Sequence, residues 1–167
     1  MKKLLAVIIV MTLLLPCSVF AVESITWSIV EKKTAKGGLW AEVTSTIVAA
    51  ANGSVTNTIL GGTAGGAGTK YDLRGRYLYS VCIGDNGTNP TDNSDLALRH
   101  GGATGRDLLG LAGTDKIDSG ASLDNNCFQP AIDSSGSAVP VYDSLYQVIT
   151  NNSVDGGQII IKYQFIE

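Results

Sequence analysis

The chain has 167 residues, with 12 basic and 15 acidic side chains giving a formal net charge of −3. No basic cluster is denser than Glu31-Lys32-Lys33, which disfavours binding to nucleic acid or an anionic membrane by charge. With a single histidine in the chain and no Gly-x-Ser-x-Gly elbow, a Ser-His-Asp or Cys-His mechanism has only His100 to draw on.

The elements are taken in chain order. Lys2 and Lys3, the apolar run Leu4 to Leu15, the breaker Pro16 and the small-residue site Val19-Phe20-Ala21 read as a secretory signal peptide over residues 1–21, cleaved before Val22. A membrane-spanning helix needs about 20 apolar residues; Pro16 ends this run well short of that, which disfavours a retained anchor. Cys17 follows Leu15-Pro16 rather than the small residue that precedes a lipid-modified cysteine, so it belongs to the discarded segment. Cleavage leaves about 146 residues with a net charge of about −5, the size of one domain over residues 22–167 that buries close to about 70% of its unfolded surface.

Within that domain the apolar residues recur with period two, the spacing of half-buried strands. Ile25, Trp27 and Ile29 alternate with Thr26 and Ser28, and Trp27 and Trp40 are expected in the core. Ser45 to Ala51 is rich in Thr, Ile and Val as well as Ala and reads as strand, running into Asn52-Gly53. Asn-Gly between β-prone residues predicts a hairpin over Ala49 to Val55. Tyr77, Tyr79, Val81 and Ile83 are expected on one face, with Leu78, Ser80 and Cys82 on the other. The last segment, Gln158 to Ile166, puts Ile159, Ile161, Tyr163 and Phe165 on one face. Gly and Asn turn signals at near-regular spacing divide seven or eight strands, the pattern of an all-β, single-domain antiparallel β-sandwich of jelly-roll or Ig-like type.

Gly61 to Lys70 (GGTAGGAGTK) superficially matches a phosphate-cradling loop. That motif, however, places Lys directly after its last Gly and opens a helix, whereas Thr69 intervenes here; a flexible loop is the expected structure. Cys82 and Cys127, an even pair in an exported chain, read as a disulfide. Closing a loop of about 45 residues, it is worth roughly 3 to 4 kcal/mol in the chain-entropy model.

His100, at the end of a short strand before Gly101-Gly102, is expected to be an exposed turn residue rather than a catalytic base. Asp85, Asp92 and Asp95 lie in one oxygen-rich loop, and Asp115, Asp118 and Asp124 in another. Such loops can supply the six to eight oxygens that calcium wants, and the same residues are what tight turns require. The sequence assigns no catalytic residue, cofactor or metal ligand.

Gly75 to Gly113 carries Pro90-Thr91-Asp92-Asn93, the short strand Leu96-Ala97-Leu98, and Asp107-Leu108-Leu109-Gly110 followed by Ala112-Gly113. This stretch resembles the small virion-associated, hypothetical structural proteins of tailed bacteriophages. The likeness continues more faintly through Val139-Pro140-Val141, Asn151-Asn152-Ser153 and the terminal strand. The resemblance implies a structural role in an assembled particle, carried by turn-and-strand motifs. Read physically, Pro90 restricts its neighbours, Leu96 and Leu98 face the core while Asp95, Ala97 and Arg99 face out, and Leu108, Leu109 and Leu111 crowd too closely for one exposed face. A leader and a cysteine pair are out of place in the reducing cytoplasm where tailed phages assemble. The scaffold therefore serves a secreted or cell-surface role, or the virus exports this component, or the leader is a mistaken start.

The expected function is that of an exported, non-enzymatic structural or surface-binding subunit, located outside the cell, in the periplasm or on the cell surface. Its partner would be a protein assembly, in a virion or at the cell surface, or a surface ligand, with homo-oligomers open and neither nucleic acid nor membrane involved after cleavage. The alternative is a secreted hydrolase of cell-wall or extracellular glycans. N-terminal sequencing of exported protein is expected to start at or next to Val22; an intact Met1 recovered from membranes would replace the signal peptide with an anchor.

Overall fold

The computed structural model describes residues 23–33, 38–60, 72–118, 120, 126–130 and 138–167. Segment 1–21, read from the sequence as a signal peptide, the glycine-rich segment 61–70 and Asp124 lie outside the described residues. Among the described residues there are nine strands and no helix: β1 (Ser24–Lys33), β2 (Leu39–Val48), β3 (Thr58–Ile59), β4 (Tyr77–Asp85), β5 (Asp95–His100), β6 (Cys127–Phe128), β7 (Val139–Pro140), β8 (Leu145–Thr150) and β9 (Gln158–Ile166). Every pairing is antiparallel. The larger sheet runs β1-β2-β9-β4-β6, with β7 also on β4, and the smaller runs β3-β8-β5.

The two sheets share one core, in a sandwich-like arrangement. β9 supplies its centre, because Ile159, Ile161, Tyr163 and Phe165 are all fully buried, as the alternation in the sequence requires. Ala41, Val43 and Ile47 of β2 flank them on one side, and Leu78, Val81 and Ile83 of β4 on the other. Leu96 and Leu98 of β5, with Leu145 and Ile149 of β8, close the core from the smaller sheet. Burying one such side chain stabilises the fold by about 1.5 to 3 kcal/mol. A polar link crosses the core: the buried Tyr163 hydroxyl donates to Gln147 Oε1 at 2.7 Å. Burial pushes this phenol well above its ordinary pKa, which keeps it a neutral donor.

β2 is strand as far as Val48, and Asn52-Gly53 is a turn, but not a hairpin. The Gly53 amide donates to Ala50 O at 2.8 Å, and only Gly53 of the two turn residues has a positive φ, +76°. The flanking strands do not pair, since β2 joins β1 and β9 whereas β3 joins β8. The turn instead carries the chain from one sheet to the other. It packs so closely that a Cβ on Gly53 would lie 2.2 Å from the carbonyl carbon of Ser153, and Asn152 Nδ2 donates to Gly53 O at 2.6 Å.

β4 departs from the expected faces in one place. Its register against β9 shifts between Leu78 and Ser80, leaving Tyr79 as the extra residue of a β-bulge. A bulge reverses the parity of everything beyond it. Leu78, Val81 and Ile83 therefore share the core face, while Tyr77 and Tyr79 are 43% and 44% exposed. Trp27 packs against the core as expected. Trp40 does not, because it alternates with the buried Ala41 and lies on the outer face, with Lys32 Nζ 5.3 Å from its ring centroid.

The disulfide joins Cys82 and Cys127, which face each other across the β4–β6 pair with Cα atoms 4.0 Å apart. β6 has only two residues, too few to hold a place in the sheet unaided, and the bond fixes it so that Phe128 packs against the core. A disulfide is compatible with a compartment outside the cytoplasm. Replacing both Cys82 and Cys127 with Ser is expected to lower the unfolding free energy by roughly 2 to 5 kcal/mol, measured by urea denaturation against the oxidised parent.

Candidate binding surface

The pleat that sends one row of side chains into the core sends the alternate row outward. At one end of the larger sheet, register partners run Lys32, Trp40, Ile166, Tyr77 and Pro140 across β1, β2, β9, β4 and β7. Tyr79 stands beside this row because of the bulge, and Val30, 45% exposed, continues it along β1. Val30 lies opposite Glu42 in the next outward row, which is polar beyond it: Glu42 lies opposite Gln164, and Gln164 opposite Ser80. The Ser80 hydroxyl donates to Gln164 Oε1, and Lys162 Nζ lies 4.0 Å from Glu42. Aromatic and aliphatic groups are thus displayed on five hydrogen-bonded strands beside a fixed polar row. Trp40 and Tyr77 are two strands apart, roughly 10 Å at about 4.8 Å per strand.

Sequence reasoning missed this surface because strict alternation placed Tyr77 and Tyr79 with Val81 and Ile83, and Trp40 in the core. A usable signal was present. Leu78 is flanked by two tyrosines, whose hydroxyls tolerate water, and the next strongly apolar β-branched residue comes three positions later, which is the spacing a bulge produces.

The Asp-rich loops meet at the opposite end of the sandwich. Asp85 Oδ2 accepts from the Gly120 amide at 2.7 Å, and Asp118 Oδ1 accepts from the Asn93 amide at 3.2 Å. Asp95 accepts from the Asp115 amide at 2.9 Å and from Asn151 Nδ2 at 2.6 Å. Ser94 and Ile117 exchange both backbone bonds at 3.1 Å, and Asp92 lies in the adjoining turn. Asn93, Asp115 and Asn151 adopt positive φ, as Asn and Asp do most readily after Gly. These carboxylates stitch one loop to the other. Among the described residues, no group of three or more His, Cys, Asp or Glu side chains is placed to hold a metal ion.

Asp107 has a similar task. Its carboxylate accepts from the amides of Leu98 and Leu109 at 3.1 and 3.0 Å, anchoring the turn that follows to β5. Leu108 and Leu109 are buried, but Leu111 is 78% exposed. The reversal at Gly110 and Leu111, both at positive φ, turns Leu111 outward, so the three leucines do not share one face.

His100 ends β5 but is half-buried rather than an exposed turn residue. Its ring lies 6.3 Å from that of Tyr142, and Nε2 is enclosed without a hydrogen-bond partner. Burial lowers its pKa; Arg106 adds to the effect and Asp143 opposes it.

Comparison with protein-family models, with curated proteins and with solved structures gives no match to this chain.

Because the folded pKa of His100 lies below the unfolded value, the unfolded chain binds the proton more readily. Stability is then full above about pH 7 and falls as pH drops through and below the unfolded value of about 6.5. Between about pH 7 and pH 5, where carboxylates remain largely ionised, the melting temperature is expected to fall in the parent protein and to fall less in His100→Gln. Calorimetry across that window makes the comparison.

Proposed function

We propose that this chain is an exported, non-enzymatic subunit that acts through its surface, as a structural or surface-binding component of the kind found among virion-associated phage proteins. The observation that carries this reading is the outward row Trp40, Ile166, Tyr77 and Pro140, with Tyr79 bulged beside it. Aromatic side chains offer a large contact area at a small entropic cost and are enriched at interfaces, and a row set on paired strands is already ordered before it meets a partner. The carboxylates of Asp85, Asp95, Asp107 and Asp118 support the same reading, since each accepts a backbone amide and so serves the scaffold. We read the two antiparallel sheets as a sandwich of jelly-roll or Ig-like type, a scaffold that commonly presents one sheet face or its loops to a partner.

The test is attachment. Tyr77→Ser combined with Tyr79→Ser, at positions that contribute little to the core, is expected to leave the melting temperature within about 2 °C of the parent, a surface-substitution effect. It is expected to reduce by at least about tenfold the protein recovered on purified extracellular particles or on the surface of producing cells, the size of one lost interface anchor. Unchanged attachment would remove the outer face from the proposal. Hydrolysis of a cell-wall glycan by pure protein, abolished by a single Asp or Glu substitution that preserves the fold, would replace it with an enzymatic role.

A further inference from the structure

Among the described residues, β1 is the open edge of the larger sheet. Its ten residues pair with β2 on one side, and none of them takes part in a backbone hydrogen bond with any other described segment. Natural edge strands are usually short, bulged, charged or interrupted by Pro, because an unpaired row of backbone amides and carbonyls templates another strand. In β1 such protection is confined to one end. Glu31, Lys32 and Lys33 close the strand, and Glu31 is held by Arg76 at 2.6 Å. The preceding seven residues, Ser24 to Val30 (SITWSIV), have neither charge nor Pro and pair with β2 without a bulge.

The inward row of this segment is unfinished. Ile25, Trp27 and Ile29 pack against the core yet are only half-buried, and Trp27 Nε1 is enclosed without a hydrogen-bond partner. A strand added to the free edge would extend the sheet beneath that row.

We propose that two copies of this chain join edge to edge through β1, antiparallel and centred on Trp27. Residues directly opposite each other in an antiparallel pair lie on the same face, so a two-fold centred on a residue matches inward rows with inward rows, whereas one centred between residues would set apolar rows against polar ones. With Trp27 at the centre, Ile25 meets Ile29 of the second copy, Trp27 meets its own counterpart, and Thr26 meets Ser28. Lys32 and Lys33 fall outside the overlap, and Glu31, held by Arg76, comes level only with Glu23, which precedes β1 and is engaged by Thr56. Centring on Ser28 would instead place Glu31 against Ile25, and centring on Thr26 would shorten the overlap and strand Ile29. The segment is therefore self-complementary in one register, as a two-fold interface requires, and aromatic and β-branched cross-strand pairs stabilise it. The outward row at Trp40 and Tyr77 stays exposed in this dimer, so the inference is independent of the surface-binding role.

Sedimentation of the purified protein from about 1 to about 200 μM, a range bracketing micromolar affinity, is expected to show a concentration-dependent dimer. The register is read by cross-linking. Thr26 and Ser28 are exposed, so Thr26→Cys and Ser28→Cys proteins keep the fold; mixed and oxidised with copper phenanthroline, they are expected to form the mixed dimer as the main product. Each variant alone sets its new thiols on a diagonal, with Cα atoms roughly 7 to 8 Å apart, beyond ordinary disulfide reach. Ser28→Lys, which brings like charges together beside the two-fold, is expected to weaken dimerisation at least about tenfold. A monomer throughout the range would overturn the proposal. So would a dimer that cross-links equally well in the single-variant samples, or one that Ser28→Lys leaves intact at unchanged melting temperature.

Discussion

The burial of one face of β9 is the constraint on which the rest of the structure depends. The last strand of the chain lies between β2 and β4, so the larger sheet has no continuous ladder until residues 158–166 are in place. Its four inward side chains are fully buried and meet both sheets, and the Tyr163 hydroxyl reaches across to Gln147 on β8. Contacts of such long sequence separation are entropically costly to form. They are stabilised here by an inward face made wholly of isoleucine and aromatic side chains, and by a covalent link on the neighbouring strand. The disulfide lies on β4, immediately beside β9, and holds the short β6 at the border of the sheet.

The outward surface follows from the same register. Once β9 is fixed between β2 and β4, Trp40, Ile166 and Tyr77 must line up, because strand pairing makes register partners neighbours. The single inserted residue at Tyr79 then decides which side of β4 is wet. It sends two tyrosines outward and brings Val81 and Ile83 inward, in line with Leu78. A local backbone irregularity thereby satisfies the core and assembles an aromatic row in one step. Bulges are frequent where a side chain must be re-aimed for a function.

Polar chemistry is concentrated at the far end of the sandwich, where it is structural. Asp85, Asp95 and Asp118 each accept from an amide of a different loop. The end of β4, the start of β5 and the turns beside them are held against the loop that contains Asp115 to Gly120 by carboxylate bonds to backbone amides, which are stronger than bonds between neutral groups. This explains why residues that look like calcium ligands in the sequence are engaged otherwise: loops that pack together leave amides unpaired, and a nearby carboxylate is the simplest acceptor for them.

Much of the fold was legible from the residues alone. Period-two alternation is a local property, so the strand character around Ile25, Trp27 and Ile29, of Ser45 to Val48 and of Gln158–Ile166, the inward face of β9, and the core positions of Leu96 and Leu98 could be read without any partner strand, although the strand expected over Ser45 to Ala51 ends at Val48. The pairing of Cys82 with Cys127 followed from their being the two cysteines left once Cys17 was assigned to a segment read as a signal peptide. The errors share one cause, which is that the faces and ends of strands are set by neighbours distant in sequence. The register of β4 against β9 put Tyr77 and Tyr79 outside, the pairing of β2 with β9 put Trp40 on the outer face, and the crossing from β2 to the smaller sheet made a linker of the Asn52-Gly53 turn. Alternation along a single strand says that two faces differ; only the packed sheet decides which is buried, because burial belongs to the surface a strand meets.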